Sequence, residues 1–367
     1  MNYYILTIDC GTQYLKTSLV DKQGSVVYTS TIKNNILKNH EWSYSEQYGS
    51  TYWNNFLNAC EFLKKQSGDE WNNIIGITFT GFRDSLFFID KNGDETRPGI
   101  IWMDERLDEE YRIERTIDKL VFSAVGMKKS VMFAGKRSPA NWVRHHQKKV
   151  WEKTDKCVQI SGYFNLRLTG KNVDSIAAQT GKIPFNYKLQ SWEPSNKNWR
   201  YFLFGLKTDK LTSIVPVAEI LGNISKTCSL ETGLCEGLPV IAAGADKSCE
   251  TAGCGILNPG SASVSLGSAV SIEIFSKKYF EPLPNMPAYP SLISKKYNPE
   301  IQIFRGLWLI KQFVYAMCKE EVIKSKIEGI SPEEYMNKIS EEIEPGSGGL
   351  ILQPYWGNPL NELYARE

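Results

Sequence analysis

Residues 5–12 read Ile5-Leu-Thr-Ile-Asp9-Cys-Gly11-Thr12, an apolar strand that ends in a carboxylate and a small, tight turn. Working outward, Leu19-Val20 continues a second apolar run, Asp21-Lys22-Gln23-Gly24 supplies a turn, and residues 25–31 read as a third strand. A strand–turn–strand hairpin with Asp and Gly-Thr at its bend can cradle phosphate. Backbone N–H groups around Gly11 can point at the oxygens, the Thr12 hydroxyl adds a donor, and Asp9 can hold a magnesium ion through water. The pattern differs from a P-loop, whose glycines lead into a helix. An ordinary hairpin turn is the competing reading of the same residues.

The chain has 367 residues, enough for two domains, and its 42% apolar and 23% charged content fits a soluble protein with real cores. A net charge of +2 gives no electrostatic footprint for nucleic acid. The basic run His145-His146-Gln147-Lys148-Lys149 reads as a solvated helix face. No stretch reaches the roughly 20 apolar residues of a membrane span, and no signal-like segment precedes the first strand. The cysteines are scattered without C-x-x-C pairs, which predicts buried free thiols and a cytoplasmic setting. With histidines only at positions 40, 145 and 146, a general base is expected to be a carboxylate.

Residues 42–66 carry apolar and aromatic side chains at helical intervals, among them Trp53, Phe56, Leu57, Cys60 and Leu63. Residues 73–79 read as a buried strand, and 86–90 as one arm of a hairpin turning at Asn92-Gly93 in a type I′ bend. Helices are expected at 105–116, 139–150 and 157–168, the last capped at Gly170. A strand within 237–246 delivers Asp246 to its carboxyl end, and a small-residue helix follows over 247–255. Residues 260–275 repeat the opening format weakly, with Leu266-Gly267-Ser268 at the bend, which suggests two similar halves facing one another. Helices at 307–319 and 331–343 and a strand at 350–353 complete the reading.

These segments together resemble the FGGY carbohydrate kinases. Asp9-Cys-Gly-Thr12 with Gln13 and Lys16 looks like the family's first phosphate loop, and Thr80-Gly-Phe-Arg83-Asp84 sits where it carries substrate-contacting polar residues. Trp102-Met-Asp104-Glu-Arg106 resembles its W-x-D-x-R segment, and Leu168-Thr-Gly170 with Asp174 its L-T-G…D stretch. Gly237-Leu-Pro-Val240 through Asp246 is similar to the strand bearing the catalytic aspartate. Leu266-Gly267-Ser268 looks like the second phosphate loop, and residues 348–355 like the G-L-x-x-x-P-Y stretch. Each motif is weak alone; their order is specific.

The resemblance implies an α/β fold of two actin-like, RNase-H-type domains around a cleft, here residues 1–248 and 249–367. It further implies ATP and Mg2+ as cofactors, a small sugar or polyol as substrate, and transfer of the γ-phosphoryl group to a hydroxyl. Asp246 would be the general base and contact substrate, together with Arg83, Asp84, Trp102 and Asp104. Gly11, Thr12, Gln13, Lys16, Gly267 and Ser268 would bind nucleotide, and Asp9 the metal. Two departures stand out. Pro139, Ala140 and Asn141 occupy the place of the lysine that family members put shortly before the tryptophan, here Trp142, with Lys136 nearby out of register. The adenosine-binding part of the second domain is also expected to be missing, so a non-catalytic descendant is the alternative. An exposed, truncated sheet predicts poor solubility or oligomerisation, a homodimer being one form.

Overall fold

A computed structural model describes residues 2–35, 37–39, 44–266, 270–283, 286–303 and 308–351. The opening hairpin forms as expected. Strand β1 (Tyr4–Cys10) runs antiparallel to β2 (Tyr14–Asp21), and β2 to β3 (Val26–Lys33). Alternation along β1 buries Tyr4, Leu6, Ile8 and Cys10 on one face. The turn into β3 is shaped by Asp21, whose Oδ1 accepts the N–H groups of Gln23 (2.9 Å) and Ser25 (2.8 Å) while Gly24 takes a φ of 85°.

The hairpin at 90–94 uses the same chemistry, with Asp90 Oδ1 accepting from the Asn92 and Asp94 amides. Gly93, not Asn92, carries the positive φ there. The bend is therefore a type I turn closed by a left-handed glycine, and not the type I′ turn that Asn-Gly suggested. The Asp90 carboxylate stabilises this alternative by collecting two amides that a two-residue loop would leave elsewhere.

Helix α1 (Gly49–Ser67) packs Tyr52, Trp53, Phe56, Cys60 and Leu63 onto the core at helical spacing. It starts later than the periodicity from residue 42 suggested, because Tyr44–Gln47 pairs as a strand. The Glu95 carboxylate marks the start by accepting the first amides, Gly49 and Ser50, where negative charge suits a helix N-terminus. Strand β4 (Ile74–Gly81) pairs parallel with β1. Helix α2 (Ile160–Thr169) ends at Gly170 with a φ of 70°, the expected cap, and starts after the short strand Lys156–Val158 that takes up Cys157. Strand β5 (Pro239–Ile241) pairs parallel with β4. The six-stranded sheet runs β3-β2-β1-β4-β5, with Ile220–Asn223 outermost. That order is the RNase-H arrangement. It places the carboxyl ends of β1, β4 and β5 along one edge.

Between these strands a five-stranded sheet forms around Leu86–Ile89 and Glu95–Ile100. Residues 105–115 are irregular, and the helix expected there begins only at Thr116 (Thr116–Ala124). Side-chain carboxylates satisfy the local amides instead: Asp104 accepts from Arg106 N and Asp108 from Glu110 N. The expected helix at 139–150 is two helices, Pro139–His146 and Lys148–Lys153, broken at Gln147.

Helix α3 (Asp246–Gly253) leads into β6 (Ala262–Leu266), β7 (Val270–Ile274) and β8 (Glu300–Ile303), an antiparallel sheet in the format of the opening hairpin. Helices Trp308–Met317 and Pro332–Ser340 match expectation, the latter capped by Ser331. The strand expected at 350–353 lies partly outside the described residues. Cys10, Cys60, Cys157 and Cys228 are buried free thiols, whereas Cys235 and Cys254 are exposed. Among the described residues no helix is long and apolar enough to cross a membrane.

Gly81 closes β4 where a Cβ would come within 2.7 Å of Ile160 Cγ2 and 3.0 Å of the Phe79 ring. Gly81→Ala is expected to cost about 1–3 kcal/mol through overpacking. Urea unfolding should show a lower midpoint at unchanged slope; an unchanged midpoint would refute the packing argument.

Candidate functional site

The edge where β1, β4 and β5 end is where open α/β sheets bind ligands, because the chain turns away there and leaves backbone groups uncovered. In register, Asp9 sits beside Thr80 and Cys10 beside Gly81. Thr80 Oγ1 donates to the Gly244 carbonyl (3.0 Å), tying β4 to the segment that delivers Asp246. The Phe82 amide donates to the Cys10 carbonyl (3.1 Å) and fixes the exit from β4 against β1.

Asp246 opens α3 and its Oδ1 accepts the Lys247 amide (2.8 Å). Arg83 Nε lies 3.6 Å from the same oxygen. Burial raises this carboxyl, and Arg83 and the Lys247 amide only partly offset it, leaving it at about 6. Asp9 is also raised by burial, against the opposing charge of Lys16. Glu250 and Lys247 act on both aspartates, and both aspartates act on Cys249. Asp9 and Asp246, at the carboxyl-end edge formed by β1, β4 and β5, therefore lie within electrostatic reach of the same groups. Lys247 Nζ bridges Glu250 (2.7 Å) and Ser265 (3.0 Å), which brings β6 to that edge.

The turn at Gly11, Thr12 and Gln13 is held from behind. Asn34 Nδ2 donates to the Gly11 carbonyl (2.8 Å) and its amide to the Gln13 carbonyl (2.7 Å). Among the described residues the three turn amides donate to no acceptor, and the Asp9 carboxylate accepts no hydrogen bond. Such a set suits phosphate oxygens and a water-bridged magnesium ion, since Mg2+ takes one or two carboxylates together with substrate phosphates. Exposed Lys16 flanks the turn on β2. Gly267 and Ser268 lie outside the described residues.

Arg83 reaches across the cleft to grip buried Glu300 on β8 through two bonds, Nη1 at 2.6 Å and Nη2 at 2.9 Å, and lies over the Tyr289 ring. Burial alone would lower its pKa, but the Glu300 bonds raise it well above its usual value. Asp84 follows in a left-handed conformation (φ 59°), held by its amide donating to Thr180 Oγ1 (3.2 Å). Trp102 is 46% exposed and is not a core residue; its Nε1 donates to Thr12 Oγ1 (2.8 Å), joining the wall to the turn. Asp104 is buried with both oxygens engaged, by the Ser45 amide (2.7 Å), the Arg106 amide (3.0 Å), and Arg106 Nε (2.6 Å) and Nη2 (2.7 Å).

Several residues that line the site were not singled out in the sequence. Arg137 and Lys182 join Asp84, Trp102, Asp104 and Arg106 around a narrow recess of about 20 Å3. Lys136, the nearby lysine, instead pairs with Glu109. Glu300, Lys247 and Glu250 were likewise missed. Their only sequence signal is a charge beside an apolar strand or helix start, which many solvated positions share.

The profile of the N-terminal domain of the FGGY family of carbohydrate kinases matches residues 4–253. The uncharacterized sugar kinase YgcE of Escherichia coli (strain K12) is 25% identical over 365 residues, covering 99% of this chain and 66% of its own length. The gluconokinase of Bacillus subtilis (strain 168) is 25% identical over 364 residues, covering 97% of this chain and 68% of its own. In structure, the ligand-bound xylulose kinase from Lactobacillus acidophilus superposes with a TM-score of 0.77 at 17% identity, over 97% of this chain and 69% of that one. The likeness bears out an actin-like two-domain α/β fold. The chain spans about two thirds of the length of these relatives.

The Asp104–Arg106 pair is buried and closes the wall behind Trp102. Asp104→Ala is expected to destabilise by about 3 kcal/mol, because it removes the two-bond partner of the buried Arg106 guanidinium and leaves it to Glu46 alone. Thermal or urea unfolding of this variant is the check; a loss below about 1 kcal/mol would contradict the assignment.

Proposed function

The chain belongs to the FGGY family of carbohydrate kinases, phosphotransferases with an alcohol group as acceptor, and from that premise we propose that it transfers the γ-phosphoryl group of ATP to a hydroxyl of a small sugar or polyol. The observation that supports this reading is that Asp9 and Asp246 stand at the same edge of the sheet, both raised by burial and influenced by the same charges, beside a turn with uncommitted amides.

Phosphoryl transfer asks the protein mainly for positioning and charge neutralisation. Asp246 takes the proton of the substrate hydroxyl as that oxygen bonds to the γ-phosphorus and the bond to the β-phosphate oxygen breaks. Its raised pKa suits the task, since a base near the working pH is ionised yet still ready to hold a proton. Arg83 holds the carboxylate in place from the side. The amides of Gly11, Thr12 and Gln13, with Lys16, receive the phosphates, and Asp9 is the carboxylate that would hold a magnesium ion. Bound magnesium would neutralise charge on the phosphate oxygens. Asp84 and Trp102 contact the sugar. Asp104 acts on the substrate through the wall it holds with Arg106. The reading divides the chain at residue 248, with the cleft between the two parts.

Asp246→Asn is expected to lower kcat by about 10²–10⁴-fold in a coupled ADP-release assay. In the parent protein the rate should climb as pH passes about 6, where the base ionises. Stability moves the other way. A carboxyl raised from 3.8 to about 6 favours the fold below its ordinary pKa, and that advantage is lost as pH rises through about 6. The Asn variant should therefore melt no lower than the parent at pH 8. A variant of normal rate would remove Asp246 from the mechanism, and failure of magnesium-ATP to bind in calorimetry would identify a non-catalytic relative.

A further inference from the structure

The recess behind Trp102 carries more positive charge than its own carboxylates balance. Arg106 is matched by Asp104 at 2.6 Å and by Glu46 at 2.6 Å, and Glu46 also pairs with Arg97. Two lining cations remain, Arg137 and Lys182, and neither side chain has a hydrogen bond or ion pair among the described residues. Only one lining carboxylate, that of Asp84, is left uncommitted, and it sits at the exposed mouth. Arg106 is itself 94% buried, being 6% exposed, and its Nη1 is a buried donor with no hydrogen-bond partner. A neutral ligand would leave these donors unmatched at an energetic cost.

Burial lowers the pKa of both Lys182 and Arg137; Asp84 partly offsets this for Lys182 and Asp104 and Glu105 for Arg137, while Arg137 repels Lys182 as a like charge. An anion placed between them would relieve that repulsion and supply acceptors in one step. The recess is narrow, with about 20 Å3 of enclosed space, so it admits a group of a few atoms and not a whole ligand. It suits the end of a short chain whose remainder lies along Trp102 toward Asp246.

We infer that the substrate is a sugar acid, its carboxylate seated in the recess between Arg137 and Lys182, so that these two residues select an aldonate over the matching neutral polyol. The inference rests on the kinase reading for the placement of the sugar. The carboxylate is anchored at one end, Asp84 accepts from hydroxyls at the mouth, and a hydroxyl at the far end is left for Asp246. No bond is made or broken in the recess.

The test is calorimetric binding of D-gluconate against D-glucitol, and of D-xylonate against xylitol, to the full chain without nucleotide. The aldonates should bind at least about tenfold tighter than their alditols. Arg137→Gln and Lys182→Met should each weaken aldonate binding by about 10- to 100-fold, while Lys182→Arg retains most of it. Melting temperatures of all variants establish that each is folded. Equal affinity for acid and polyol, or an aldonate preference that survives both neutral variants, would overturn the inference. Should an alditol bind and be phosphorylated while the acids are not, the kinase reading stands and this one falls. Should the acids bind with the expected variant losses but never accept phosphate, the recess stands and the kinase reading falls. Binding of neither class would sink both.

Discussion

Arg83 is the charge on which the cleft is organised. It leaves the end of β4, takes Glu300 of β8 in a two-bond grip, and stands 3.6 Å from the carboxylate of Asp246. A guanidinium this deeply placed needs its partners, because an unpaired charge in a low-dielectric interior costs several kcal/mol. Glu300 meets that need from the second sheet. The grip joins the first sheet to the second across the cleft, so the position of Asp246 depends on both.

The same residue tempers the chemistry of Asp246. Burial pushes that carboxyl upward and Arg83 pulls it down, and the balance leaves it at about 6. Without burial the group would be a weak base; without Arg83 it would be protonated over more of the neutral range. Neighbouring Glu273 faces Glu300 across β7 and β8 and is raised to about 7, first by burial and then by that neighbour. Carboxyls crowd this part of the cleft, and Arg83 is the cation that makes the crowding tolerable.

The wall behind Trp102 follows a different logic. Asp104, Arg106, Glu46 and Arg97 neutralise one another, and Arg106 also lies over the rings of Tyr44 (4.0 Å) and Trp142 (4.4 Å). A self-satisfied cluster of this kind is structural in its energetics, and it frees Arg137 and Lys182 to face whatever enters. Asp104, read from the sequence as a substrate contact, lines the recess while its two oxygens accept from the Ser45 amide and Arg106. The motif W-x-D-x-R marks a wall as much as a contact.

What the chain alone determined is local. The period of two in residues 4–10, the Asp-x-x-Gly bends at 21–24 and 90–93, the stripe of α1 and the glycine after α2 are each set by near neighbours, and so could be read directly. The helix expected at 105–116 failed because carboxylates captured its amides, and that depended on Asp104 and Asp108 folding against distant partners. Arg83 and Glu300 are separated by 217 positions, and nothing in either segment announces the other. Tertiary structure alone decided that Arg137 and Lys182 would meet in one recess, and that Lys247 and Glu250 would act on both Asp9 and Asp246. The physical reason is that burial and opposing charge are properties of the assembled cleft: they sum contributions from strands far apart in the chain, and no window of sequence contains that sum.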